Sequence, residues 1–167
     1  MSRPDPSEYP AHAQVYVDRV QGDDAIAALS APVLPGLPAG ADGDRTYAPG
    51  KWTVKEVVGH IADTERIFAY RILAIARGDQ AVLPGFEQDD YVRAGRFNDR
   101  PLADLLDELQ AVRQGTLTLL RGLPAAAWDR RGTANAFSVT VRGLAFVVAG
   151  HALHHAAILR ERYLPRA

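Results

Sequence analysis

The 17 residues from Gly143 to Leu159 contain no Asp, Glu, Lys or Arg. A run like this has few places to go in a folded chain. It falls short of the roughly 20 apolar residues that span a bilayer, and it carries three histidines and two glycines. The remaining solution is a helix buried at the centre of a helical domain, with the other helices packed around it. A second uncharged run, Ala25 to Ala41, is broken by Pro32, Pro35 and Pro38 and cannot be one helix.

Periodicity supplies the partners. Residues 8–30 predict a first helix, with Tyr16, Val20 and Ala27 near one face and Gly22 weakening the pattern. Residues 31–50, rich in Pro and Gly, predict a loop. A second helix starts near Trp52 and stops before Gly78. Thr53 and Glu56 form a capping-box pair, and Val54, Val57, Val58, Ile61, Phe68, Ile72 and Ile75 recur at helical spacing. Residues 79–99 predict another loop. A third helix runs from about Pro101 to Gly122 on a stripe that includes Leu102, Leu105, Leu109, Val112 and Leu117. Pro124 to Trp128 can add a short turn, a polar loop follows, and the last helix spans about Ser138 to Tyr163. No segment alternates as a hairpin strand does. The expectation is one all-α domain over residues 1–167, a four-helix bundle with long connections.

Composition narrows the function. Nineteen basic residues face twenty acidic ones, so no global field draws in nucleic acid or an anionic membrane. The chain has no cysteine, which excludes disulfides, thiolate ligands and a cysteine nucleophile. The first residues, MSRPDPSEYPAHAQ, lack the apolar region of a secretory signal. The expected setting is the cytoplasm, with neither a membrane nor a nucleic acid as partner.

The chemistry concentrates in Gly150-His151-Ala152-Leu153-His154-His155. His151 and His155 stand one helical turn apart and align with Leu144, Val148 and Ile158, toward the core. Two imidazoles on an apolar face either find hydrogen-bond partners or share a metal ion. His60, in Val57-Val58-Gly59-His60-Ile61, lies beside the second helix's apolar stripe, where antiparallel packing can bring it to that pair. Three nitrogen ligands with open positions are the pattern of a catalytic rather than a structural ion. His154 can ligate or line the pocket, and His12 is expected in solvent.

Two blocks carry a family resemblance. One is Tyr47-Ala48-Pro49-Gly50-Lys51-Trp52-Thr53-Val54-Lys55-Glu56-Val57-Val58-Gly59-His60, continuing through Asp63-Thr64-Glu65-Arg66-Ile67-Phe68-Ala69-Tyr70-Arg71. The other is the histidine block from Gly150 to His155, and Pro84 to Tyr91 fits as well. The sequence resembles the DinB/YfiT-like superfamily of metal-dependent enzymes. The resemblance implies an up-down-down-up four-helix bundle, often a homodimer, with zinc or nickel on three histidines that match His60, His151 and His155. It also implies small-molecule substrates. Members include thiol S-transferases that use low-molecular-weight thiols such as bacillithiol, while others are regarded as hydrolases.

Further residues are candidates for supporting roles. Glu65 interrupts the apolar face between Ile61 and Phe68, either as a general base near the metal or in a buried ion pair with Arg71 or Arg142. His154 and Glu65 are the candidate proton-transfer groups. Arg142 and Arg160 flank the last histidine block and are candidates to bind a carboxylate of substrate or thiol. Asp63 can orient His60, and Trp52 and Trp128 read as core anchors. The leading expectation is a metal-dependent thiol transferase. A hydrolase that activates water and a non-catalytic metal-binding bundle are the alternatives.

Overall fold

The structure is a computed structural model and describes residues 2–34, 37 and 40–164. Pro35, Gly36 and Pro38, expected in the first long loop, lie outside the described residues. Three long helices dominate: α3 (Val54–Ala76), α5 (Leu102–Arg121) and α6 (Val141–Ile158), the last continued by a π-helical turn over Leu159–Tyr163. The fourth position of the bundle is filled by two short helices, α1 (Gln14–Val17) and α2 (Ala25–Ser30). The single helix expected over 8–30 is therefore corrected. Gly22 adopts φ +73°, outside the right-handed helical region, and Asp24 caps a fresh start by accepting from Ile26 and Ala27.

Local chemistry explains where the long helices begin and end. Thr53 Oγ1 accepts from Glu56 N at 3.1 Å while Glu56 Oε2 accepts from Thr53 N at 2.7 Å, so the capping box forms as read. Gly78 takes φ +88°, and Asp79 N donates to Ala74 O at 3.0 Å, closing the end of α3. Helix α6 starts at Val141, later than expected, because Thr140 is the residue whose hydroxyl accepts from Gly143 N.

The four-helix bundle is the fold, with one addition. Residues 79–99 hold a short strand β1 (Val82–Leu83) and a helix α4 (Gln88–Gly95), and the polar loop before α6 is a hairpin of β2 (Arg131–Ala134) and β3 (Phe137–Thr140). β1 pairs parallel with β2, and β2 pairs antiparallel with β3. Asn135 and Ala136 both have positive φ, 50° and 64°, which makes the two-residue turn a type I′. Gly85 is required here, since a Cβ would sit 2.3 Å from Asn135 Oδ1. The Pro84–Glu87 strap is thus laid against the hairpin tip.

Two apolar clusters fill the bundle. One gathers α1, α2, the C-terminal part of α3 and Val141 to Ala149 of α6. The other gathers Val54 to Ala62 of α3, Leu105 and Leu109 of α5, and Leu159 and Tyr163. Between them each long helix contributes buried polar groups: Thr64 and Glu65 from α3, Arg113 and Thr116 from α5, His151 from α6. A polar stratum therefore crosses the molecule. The stretch 141–163 is apolar enough to cross a membrane by composition, but 72% of its apolar window is buried within the protein, as befits a central helix.

Candidate metal centre

Packing of α3 against α6 brings together residues 91 positions apart, with His60 Nε2 3.1 Å from His151 Nε2. One ring nitrogen from each of His60, His151 and His155 falls within 4.8 Å of the other two. The ring centroids lie 5.0, 4.9 and 4.5 Å apart at interplanar angles of 62–73°, so the rings meet edge to face rather than stacking. Two nitrogens bound to one tetrahedral ion at about 2.0–2.1 Å stand roughly 3.3–3.4 Å apart, close to the observed separation. The donor set suits a borderline divalent ion such as zinc or nickel. His155 Nδ1 is buried with no hydrogen-bond partner among the described residues. The three residues fit a metal ion.

Burial sets their electrostatics. Desolvation lowers the His60 pKa to about 4, against a smaller opposing pull from Asp89. Desolvation, reinforced by His60 and His154, lowers His155 to about 3. His151 is driven well below its usual value by burial and then by the neighbouring imidazoles. All three are neutral near pH 7, the state that ligates. Aromatic rings enclose them. Trp52 lies 4.8 Å from His60 and Tyr16 lies 5.4 Å from His151, centroid to centroid. Trp52, read as a core anchor, therefore also walls the site. Tyr16 reaches His151 because α1 lies directly on α6, where a Cβ at Gly150 would meet the Tyr16 carbonyl oxygen at 1.9 Å.

Thr64, one turn after His60, places its hydroxyl 3.4 Å from His60 Nδ1. That is the orienting role considered for Asp63, whose carboxylate instead faces Arg66 at 3.5 Å. Two cavities meet the cluster. One, of about 350 Å³, is lined by His60 and His151 together with Tyr16, Thr64, Phe68 and Arg71. The other, of about 310 Å³, reaches His155 and is lined by Trp52, Lys51 and Tyr163 among others. His12, though exposed, packs edge-on against Phe137 at 5.3 Å on the lining of the first cavity.

Of the remaining candidates, His154 stands beside His155, ring centroids 5.3 Å apart, and the others lie elsewhere. Glu65 is buried in a two-pronged pair with Arg113, at 2.8 and 2.9 Å, so its partner is neither Arg71 nor Arg142. Arg113 Nη1 also donates to Leu29 O at 3.1 Å, tying α2 into the same network. Arg142 occupies the opposite end of α6 from the histidines. It pairs with Glu8 at 3.2 Å and Asp129 at 2.6 Å, far along the helix from any ligand on the cluster. Arg160 is exposed and faces Glu161 at 3.7 Å. The expectation that these two arginines flank the site is corrected: sequence proximity to the histidines does not survive the helical rotation and rise that separate them. His154 packs against Tyr16 at 5.3 Å and lines neither cavity.

Sequence reasoning passed over Thr64, Tyr16 and Arg71 as site residues. Thr64 and Arg71 were legible in principle, since His60, Thr64, Phe68 and Arg71 follow one helical face. Tyr16 belongs to α1, whose separation from α2 the sequence signalled only through Gly22.

No curated protein matches this chain. Among solved structures, YfiT from Bacillus subtilis is similar in fold, with a TM-score of 0.69 at 19% identity over 95% of this chain and 89% of that one. It is described as a probable metal-dependent hydrolase with an unusual four-helix bundle topology. At that identity the likeness speaks for the fold alone. The family model of the DinB superfamily matches residues 24–159, which run from α2 through α6 and include all three clustered histidines, and the chain belongs to that superfamily.

Proposed function

We propose that this chain is a metal-dependent enzyme acting on small molecules, with one divalent ion held by His60, His151 and His155 and a thiol as co-substrate. The observation that carries the reading is the convergence of three neutral imidazoles, two of which, His60 and His151, stand at the wall of a 350 Å³ cavity. A bound ion would supply Lewis acidity there, depressing the pKa of a thiol or a water at its free positions. The protein's own groups do the rest. Thr64 fixes the His60 ring, Tyr16 and Trp52 shield the imidazoles from bulk water, and Phe68, Leu144 and Val147 offer an apolar bed for the substrate. The thiol has to be brought in, because the chain contains no cysteine.

The fate of Glu65 favours thiol transfer over hydrolysis. Water attack gains from a buried base, and the buried carboxylate nearest in sequence to His60 is committed to Arg113. A thiol, whose pKa of about 8.5 already lies near neutral when free, would pass its proton to solvent on binding an ion and depends less on such a group. Hydrolysis is the second reading, and the description of YfiT favours it.

The first test is metal content of untagged protein. About one equivalent of zinc or nickel is expected in the wild type and none in His151→Ala or His60→Ala. Full metal retention in His60→Ala would remove the reading. Assays of electrophiles and esters with and without bacillithiol then separate the two chemistries.

A further inference from the structure

Arg71 is the buried cation that the proposed chemistry leaves unused. Its residue is 6% exposed, yet no carboxylate pairs with it among the described residues. One Nη donates to Pro84 O at 2.6 Å, and the guanidinium lies 5.0 Å over the Phe68 ring. Burial alone lowers its pKa, with no charged partner to oppose the shift. A buried guanidinium without a counter-charge is costly, and an anionic ligand would supply the charge that Pro84 O and Phe68 do not. The side chain lines the cavity that His60 and His151 also line, and it borders a smaller recess beneath Pro84 and Phe86.

We propose that Arg71 recognises an anionic tail of the small molecule and that this molecule is a carboxylate with its reacting group at the other end. This rests on reading the cavity as the substrate site. His60, Thr64, Phe68 and Arg71 mark successive turns of one face of α3. Eleven residues of helix rise roughly 16 Å between the His60 and Arg71 levels, and the arginine's reach shortens the gap. Between these ends Phe68, Val139, Leu144 and Val147 give an apolar strip, beside which Glu87, Gln88 and Asn135 also line the cavity. Such a trough fits an extended chain with a polar group at each end. Arg71 is the only lysine or arginine among the lining residues. With Glu87 adding a negative charge to the same lining, the cavity disfavours a phosphate dianion, and the planar fork of Arg71 suits a carboxylate.

The test compares two probes of equal length, 8-mercaptooctanoate and 8-mercapto-1-octanol, by calorimetry on the zinc-loaded full chain. The acid is expected to bind at least about tenfold tighter than the alcohol, the discrimination given by a charge-assisted hydrogen bond. Arg71→Met should bring the two affinities together, and Arg71→Lys should keep part of the preference. If Arg71 only tethered the Pro84 strap, its replacement would weaken both probes alike and leave their ratio unchanged. Equal binding of the two probes to the wild type would overturn the proposal. Octanoate, which has no thiol, is titrated into metal-free wild type and Arg71→Met as a separate arm. If zinc fails to load, the metal reading falls, while octanoate binding that depends on Arg71 still upholds the anion site. Should Arg71→Met not fold, the wild-type ratio and Arg71→Lys decide.

Discussion

Imidazoles forced to stay neutral make the metal-free protein sensitive to acid. An unfolded histidine takes up a proton near pH 6.5, whereas His60 and His155 in the fold resist protonation until about 4 and about 3. Between those limits the unfolded state binds more protons, so stability is full above 6.5 and falls as pH drops. Each such residue contributes roughly 1.4 kcal/mol per pH unit. Urea midpoints of EDTA-treated protein at pH 7.5, 5.5 and 4.5 should decline in step, and His155→Gln should flatten the slope. A slope unchanged by that substitution would contradict the assignment. The Glu65–Arg113 pair behaves differently, because removing one member strands a buried charge. Glu65→Gln or Arg113→Met should each cost about 3–5 kcal/mol in urea unfolding. Replacing both by well-packed apolar residues should recover much of that loss. The clustered histidines and the capping box of α3 were readable from spacing alone. The partner of Glu65 was not, because Arg113 sits on a helix 48 residues away and pairing across elements leaves no local pattern.

At the scale of elements, glycines separate close approach from idle permissiveness. Gly150 lets α1 lie on α6 with backbone against side, where a Cβ would stand 2.3 Å from the Tyr16 carbonyl carbon. Gly150→Ala should therefore destabilise by several kcal/mol, on the order of other overpacked sites, and should dislodge Tyr16 from His151. Gly115, inside α5, meets nothing within 4 Å. Gly115→Ala should stabilise by about 0.5–1 kcal/mol through helix propensity. Thermal melts of the two variants moving in the same direction would refute the distinction. The hairpin before α6 escaped sequence reading for a related reason. Its I′ turn is Asn135-Ala136, with alanine where glycine usually supplies positive φ, and its strands are only four residues each. The break between α1 and α2 was hinted at by Gly22, but apolar periodicity on both sides masked it.

Across the whole molecule, the metal reading makes stability depend on the ion. A ligand present at 100 times its dissociation constant adds about 2.7 kcal/mol to folding. Zinc or nickel should raise the melting temperature of the apo protein, and EDTA should reverse the gain. The His151→Ala variant should melt at one temperature with or without metal. Composition and the uncharged run of α6 foretold a bundle with a buried central helix. They could not foretell the polar stratum between its two apolar clusters, since that layer exists only once α3, α5 and α6 are side by side.

The separation of His60 from His151 along the chain has a practical corollary. No local fragment holds the whole ligand set, so a chain that has collapsed without docking α3 on α6 has at most the His151–His155 pair and lacks the three-nitrogen site. Occupancy of the site by a spectroscopically visible ion such as cobalt(II) would therefore count native molecules in a mixed population. During refolding, its signal would date the moment at which the two helices meet.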